Sequence, residues 1–382
     1  MISRTPPVTP VNRVAPRKIR VLVVDDSALV RKAIAESLAE DPAIEVVGTA
    51  CDPYVAREKI LRLAPDVLTL DLEMPRMDGL TFLRILMKHH PLPVVVVSSL
   101  AQSGSQAALE ALEAGAVDVL AKPDGTMSIG TLSARLAHHV KSAAASTRFA
   151  RRRPGGDLPL EDDAAARAAA PAPAPPGPPP VRLAPASRFD PRQLIVIGGS
   201  TGGVEALRTI LPRLPADLPP IAVVQHISPY FAQVVARRLD PLCGFPVREA
   251  EDGMVLTRGS CVIAPGDRHL AVVRDGAVYR ARLLATPPVH HCRPAVDVLF
   301  RSAADAAGPR TVAALLTGMG SDGALGMQAI HAAGGRTIAQ DEASCVVFGM
   351  PRVAIERGVV DAVVPLARVP EAILSAVAAV SG

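Results

Sequence analysis

Ile195-Val-Ile-Gly-Gly-Ser-Thr-Gly-Gly203 is the stretch on which the fold turns. The apolar run Leu194 to Ile197 has the length and β-branching of a buried strand. Four glycines flank Ser200 and Thr201, and Val204 to Leu211 carries apolar residues at 204, 207, 210 and 211, a helical spacing. A serine on a tight strand-to-helix turn stands clear of the sheet with backbone N–H groups beside it, which suits a nucleophile with an oxyanion hole. The same turn suits a phosphate, because glycine-rich turns before helices present N–H groups to anions. From this stretch alone a nucleophile, an anion cradle and a plain turn all stay open.

The residues downstream narrow the choice. Ile221-Ala-Val-Val-Gln-His226 reads as a second strand, and a helix runs from Pro229 to about Leu239. Residues 244–284 hold short, Gly- and Pro-punctuated strands, among them Ser260 to Ala264 and Leu270 to Val273, with a hairpin signal at Asp275-Gly276. A helix over 295–306 and a strand over 311–316 lead into Thr317-Gly-Met-Gly-Ser-Asp-Gly323. A helix over 325–333, a strand over 336–339, a helix over 353–357, a strand near 359–364 and a helix over 369–380 close the chain. The pattern is α/β, a mostly parallel sheet with a small β insertion. Ser200, His226 and Asp322 are expected at strand ends of that sheet. A serine hydroxyl needs a base, imidazole serves near neutral pH, and a carboxylate orients it. Taken singly, His226 fits a structural histidine and Asp322 a helix cap. A nucleotide reading lacks an acidic ribose partner after the second strand, where His226 stands instead. Three complementary residue types on one rim favour a serine-hydrolase triad. Thr201 N–H and Met319 N–H are the candidate oxyanion donors.

Upstream, residues 143–189 lose all periodicity. Arg151-Arg-Arg-Pro-Gly-Gly156 precedes an alanine run and Pro171-Ala-Pro-Ala-Pro-Pro-Gly-Pro-Pro-Pro180, which favours extended polyproline II over any sheet. The segment reads as a semi-rigid spacer.

Residues 18–142 carry five strand patterns, at 19–24, 45–50, 66–70, 93–97 and 117–120, each followed by a helical pattern. Such alternation implies a doubly wound parallel sheet, whose ligands sit at the carboxyl ends of its strands. Asp25, Asp26, Asp71, Ser98 and Lys122 all fall there. Carboxylates gathered this way repel unless a cation intervenes; oxygen ligands suit Mg²⁺, and a lysine and a serine suit a phosphoryl group.

Composition sets the limits. The chain has 382 residues, enough for two or three domains, and a net charge of only +4. With three Tyr and no Trp, base stacking is poorly supplied, and no basic recognition helix follows the first domain, which argues against nucleic acid. The five cysteines (51, 243, 261, 292, 345) are scattered without metal spacing, as in a reducing cytoplasm. No apolar run has transmembrane length, and residues 1–17 read as a disordered tail rather than a signal peptide.

Two resemblances add to this. Val-Val-Asp25-Asp26-Ser, Leu-Asp71-Leu-Glu-Met-Pro-Arg-Met-Asp-Gly79, Val-Ser98-Ser and Lys122-Pro123 resemble a response-regulator receiver. That likeness implies Asp71 as phosphoacceptor, Mg²⁺ held by Asp25, Asp26, Asp71 and the Glu73 carbonyl, and Ser98 and Lys122 as the phosphorylation switch. The aromatic residue usual three positions before the lysine is Val119 here. Gly198 to Gly203, Val-Val-Gln225-His226, Ala264-Pro-Gly-Asp267, Arg293-Pro-Ala-Val-Asp-Val-Leu-Phe300 and Leu316 to Gly323 resemble the catalytic domain of CheB chemotaxis methylesterases. This implies a receiver (18–142), a linker (143–189) and a methylesterase domain (190–382). The expected activity is hydrolysis of glutamate methyl esters on chemoreceptors, with glutamine deamidation. It also implies the catalytic set Ser200, His226 and Asp322 with oxyanion donors Thr201 and Met319, no cofactor for hydrolysis, a CheA-type histidine kinase as phosphodonor, and a monomer without membrane insertion. His290 and His291 receive no role. The rival reading is a phospho-switched module whose second domain cradles an anion or nucleotide.

Overall fold

Strands whose side chains are buried on both faces read as continuous apolar runs, and the molecule is built on two sets of them. The computed structural model describes residues 17–98, 102–122, 129–146, 190–227 and 229–380. The expected N-terminal tail, nearly all of the Pro/Ala-rich spacer, Ser99 and Pro123 lie outside the described residues.

The first set is β1 (Ile19–Val24), β2 (Ile44–Ala50), β3 (Val67–Leu70), β4 (Val94–Ser98) and β5 (Asp118–Ala121), wholly parallel in the order β2-β1-β3-β4-β5. Helices α1 (Ala28–Ala39), α2 (Pro53–Leu63), α3 (Gly79–His89), α4 (Gln102–Ala114) and α5 (Ile129–Ala144) cover it. Ser27, Asp52 and Asp78 start the first three by accepting from the N–H groups of Val30, Val55 and Thr81, caps that the sequence supplies at each strand-to-helix turn. Alternation along β1 sends Leu22 and Val24 into one core beside Phe82 and Leu83, and Val21 and Val23 into another beside Leu136 and Val140.

The second set is β6 (Leu194–Gly199), β7 (Ile221–Gln225), β8 (Val247–Glu249), β10 (Cys261–Ile263), β13 (Thr311–Leu315), β14 (Arg336–Gln340) and β15 (Ala362–Val364). They form a parallel sheet in the order β15-β14-β13-β6-β7-β10-β8. Its helices are α6 (Gly203–Ile210), α7 (Pro229–Leu239), α8 (Val296–Ala307), α9 (Ala324–Ala332), α10 (Met350–Glu356) and α11 (Val369–Val380). The 244–284 stretch divides: β8 and β10 extend the main sheet, while β9 (Val255–Leu256), β11 (His269–Asp275) and β12 (Val278–Leu284) make a separate antiparallel sheet. Asp275 pairs with Val278 across a two-residue loop, as the Asp-Gly signal predicts.

Strand order reverses between β1 and β3 in the first sheet and between β6 and β13 in the second, and a parallel sheet opens its crevice at such points. Leu109 of α4 joins the core that contains Val235, Ala236 and Leu239 of α7, so the two halves share buried apolar surface. Among the described residues no helix is long and apolar enough to cross a membrane.

Candidate active site

The second crevice is made by continuing the sheet ladder past its strands. Ser200 N–H donates to Thr317 O (3.0 Å) and His226 N–H to Gly199 O (3.0 Å), so the ends of β6, β7 and β13 stay in register as they become loops. Gly203 N–H returns to Ser200 O at 2.7 Å and closes the turn, with Gly202 at φ +79°, a left-handed conformation that glycine adopts freely. A Cβ on Gly318 would lie 2.6 Å from Ser200 Cβ and 2.4 Å from Met350 Sδ. Glycine there is what lets the loop after β13 approach the serine. Gln225 Nε2 donates to Ser200 O (2.7 Å), a tie that the sequence reading missed because a glutamine ending a strand carries no signal of its own.

Ser200 Oγ lies 3.0 Å from His226 Nδ1, and His226 Nε2 lies 2.7 Å from Asp322 Oδ2. The expected three residues therefore meet. Asp322 is not at a strand end but in the loop well past β13, and it reaches back to helix α8. Its Oδ2 accepts from Val296 N–H (2.7 Å) and its Oδ1 from Asp297 N–H (2.9 Å) and Gly323 N–H (2.9 Å). The helix it caps is thus α8, distant in sequence, rather than the helix that follows it, and capping and imidazole orientation are served by one carboxylate. Burial pushes Asp322 up, but His226 and these N–H donors outweigh it and hold the carboxyl below the usual range. An ionised acceptor fixes the tautomer of the neutral ring: Nε2 keeps the proton, and Nδ1 is the nitrogen left to accept from Ser200.

Burial pulls His226 down. The Cys292 sulfur, 3.6 Å from Nδ1, and the Asp322 carboxylate outweigh burial and push the imidazole up to about 10. Neither Thr201 N–H nor Met319 N–H has a hydrogen-bond partner among the described residues, and Thr201 is buried while Met319 is half-buried. His290, given no role from sequence, lies with Nε2 3.0 Å from Asp297 Oδ2. His290, Asp297 and Asp322 bring ligand atoms within 4.8 Å of one another. The acceptor positions of Asp322 are taken by four donors, so this cluster is a hydrogen-bonded scaffold rather than a metal cage.

The first half of the chain reaches this crevice. Asp118 of β5 accepts from the Thr201 hydroxyl (2.9 Å) and pairs with His139 Nδ1 (2.8 Å), while the Ser142 hydroxyl donates to Thr201 Oγ1 (2.7 Å). Burial pushes Asp118 up, but His139, Val119 N–H and Thr201 together hold it below the usual carboxylate range. His138, on the same helix α5, is driven down to about 4 by burial and by the neighbouring His139 and His226. Arg238 Nη2 on α7 meets Glu113 Oε2 on α4 at 2.5 Å. No sequence signal marks Asp118, His139 or Ser142: Asp118 and Ser142 meet Thr201 of the other half, and His139 reaches it only through Asp118.

At the other crevice, Lys122 Nζ lies 3.0 Å from Asp25 Oδ2 and 2.7 Å from Asp71 Oδ2. Ligand oxygens of Asp25, Asp26 and Asp71 fall within 4.8 Å of one another, and Glu73 N–H donates to Asp71 Oδ1 (3.2 Å). Burial dominates over Lys122 and raises the Asp71 pKa. The Ser98 hydroxyl is fully buried without a hydrogen-bond partner among the described residues. Three gathered carboxyl groups, two of them facing one ammonium, beside an unsatisfied hydroxyl, fit a divalent cation and a phosphoryl group.

The family model of the CheB methylesterase matches residues 195–373, and that of the response regulator receiver domain matches residues 21–131. Two proteins of Anaeromyxobacter dehalogenans, named protein-glutamate methylesterase/protein-glutamine glutaminase 4 and 5, are 49% and 50% identical over 94% of this chain and 95% and 96% of their own lengths. A Syntrophus aciditrophicus protein with the corresponding name, numbered 2, is 46% identical over 94% of this chain and 98% of its own. With a receiver joined to a methylesterase domain and relatives matched nearly end to end, the chain belongs to the family of protein-glutamate methylesterases/protein-glutamine glutaminases.

Proposed function

We propose that Ser200, His226 and Asp322 are the catalytic residues and that the substrate is a glutamate 5-O-methyl ester on a methylated chemoreceptor. His226 Nδ1 takes the Ser200 proton as Oγ attacks the γ-carbonyl. The oxyanion forms against Thr201 N–H and Met319 N–H, and Asp322 stabilises the imidazolium. The proton then passes from Nδ1 to the leaving methoxide, and methanol departs from an acyl-serine. A water gives its proton to the same nitrogen, adds to the acyl carbon, and frees the glutamate and the serine. A receptor glutamine entering the same site would lose ammonia in place of methanol. The observation that carries this reading is the Ser200–His226–Asp322 hydrogen-bonded chain. Ser200→Ala is expected to abolish methanol release from methylated receptor while leaving the fold intact; unchanged release would overturn the assignment.

Regulation belongs to the same proposal. The receiver sits against Thr201 through Asp118 and Ser142, which supports a resting form in which the oxyanion side of the crevice is covered. A CheA-type histidine kinase is the phosphodonor and Asp71 the acceptor. Asp25, Asp26, Asp71 and the Glu73 carbonyl would hold Mg²⁺, which supplies charge neutralisation for the incoming phosphoryl group. Lys122 and Ser98 contact that group and shift the population toward an open form. The protein works as a cytoplasmic monomer, and its output is sensory adaptation.

A further inference from the structure

His226 offers one nitrogen, Nδ1, to two protic side chains: Ser200 Oγ at 3.0 Å and Cys292 Sγ at 3.6 Å. The second contact has no part in the hydrolytic steps above. Among the described residues Cys292 is also the one cysteine facing an imidazole. Cys243, Cys261 and Cys345 are pushed up, chiefly by burial, and Cys51 is exposed on the receiver.

We propose that Cys292 is a positioning residue for the esterase, competing with Ser200 for His226 Nδ1 and setting how much of the histidine is in its base form. The competition is a proton transfer within a pair. With the proton on sulfur, Nδ1 has its lone pair free and Ser200 can be activated. With the proton on Nδ1, the sulfur is a thiolate, the ring is imidazolium, and Ser200 has no base. The pair's total proton count is the same in both arrangements, so the balance depends on what surrounds it. Asp322 faces Nε2 from the loop before α9 and favours imidazolium. His138 of α5 faces the ring and, when charged, opposes it, and the Arg135 guanidinium of α5 lies on the side of the sulfur. Ser200 itself is neutral.

This inference rests on His226 acting as the base of the esterase, so its test includes a readout that does not need the substrate. The full chain, with histidine kinase, ATP and Mg²⁺ present, is compared as wild type, Cys292→Ala and Cys292→Ser. Nuclear magnetic resonance of ring-labelled histidine, assigned with His226→Gln, follows the titration of His226, and methanol release is measured against pH. Both substitutions are expected to lower the His226 midpoint by about one pH unit and to move the acid limb of kcat/KM the same way, giving a severalfold gain near pH 7. Serine keeps the volume and a hydroxyl donor but cannot become the anion, so a purely spatial role would leave Cys292→Ser like wild type. An unmoved His226 midpoint in both variants overturns the proposal. A moved midpoint without methanol release from any variant sustains it and refutes the esterase reading instead.

Discussion

The two crevices place a buried aspartate at the same topological point of a parallel sheet and treat it oppositely. Asp322 is surrounded by four hydrogen-bond donors, and its carboxyl is held below the usual range. Among the described residues Asp71 shares one lysine with Asp25 and receives one backbone N–H, and its carboxyl is raised by burial. A saturated carboxylate has no capacity left to react and can only orient its neighbours. An undersatisfied one sits in a site short of positive charge, which is the condition for taking up a cation and a phosphoryl group. Fold position alone therefore does not separate an orienting aspartate from an acceptor; the donor count does.

The sharpest way to break this contrast is to remove each charge in turn. Asp322→Asn would set an amide NH₂ against N–H donors that now meet an oxygen, and His226 would lose the tautomer that activates Ser200. A fall in kcat of about 10⁴ is expected, by analogy with the tautomer loss in serine-protease triads. A lowered Tm is expected with it, since unpaired buried donors cost about 1–3 kcal/mol each. Asp71→Asn removes a repelling charge instead. Its Tm at pH 7 should match or exceed wild type, its unstimulated methanol release should persist, and the stimulation by kinase and ATP should vanish. An Asp71→Asn protein that unfolds as readily as Asp322→Asn would end the distinction.

Proton linkage gives the same contrast a sign. A carboxyl whose folded pKa is depressed, as at Asp322, contributes stability that is present above its unfolded value near 3.8 and is lost as pH falls through the folded value. A carboxyl whose folded pKa is raised, as at Asp71, does the reverse: its burial costs stability above that unfolded value, and the cost is relieved as pH falls. Thermal melts of wild type and Asp71→Asn between pH 7 and pH 4 should converge as the acid is approached. Wild type and Asp322→Asn should stay apart over that range and converge only below about pH 3.8, from the opposite side. Adding Mg²⁺ at pH 7 should raise the Tm of wild type and do little for Asp71→Asn, because the ion binds the native carboxylates and not the unfolded chain.

How much of this was legible beforehand follows from what each residue touches. The strands and their order of helices came from alternation and apolar runs, because in a parallel sheet both faces are buried by local sequence. Ser200, His226 and Asp322 were found because their residue types are complementary and each follows a strand pattern. The capping of α8 by Asp322 was hidden: its partners at 296 and 297 are 25 residues away, and no periodicity reports a tertiary cap. Cys292 was hidden for the same reason, lying in a loop whose only meaning is the imidazole it faces. The split of the 244–284 stretch between two sheets depends on pairing partners, which short strands do not specify. Asp118 was obscured by Val119. The absence of an aromatic at 119 bears on the switch, whereas the contact with Thr201 belongs to its neighbour.

That contact permits a finer comparison, between the centre of the interface and its edge. Asp118 is a charged acceptor for the Thr201 hydroxyl within the covered crevice, and hydrogen bonds to charged groups contribute about 1.5–3 kcal/mol. Asp118→Ala should therefore raise unstimulated methanol release by at least severalfold, with little further gain from kinase and ATP. Arg238 and Glu113 join α7 to α4 at the rim, where their side chains keep 31% and 21% of their exposure. A pair so hydrated is worth at most about 1 kcal/mol and is screened by salt. Arg238→Ala should raise unstimulated release by no more than about fivefold at low salt, and the difference from wild type should fade as salt is added. If the two substitutions release the receiver equally, or if the Asp118→Ala effect is the one that salt erases, the docked form is held by its charged rim, and the link from β5 to Thr201 is incidental to regulation.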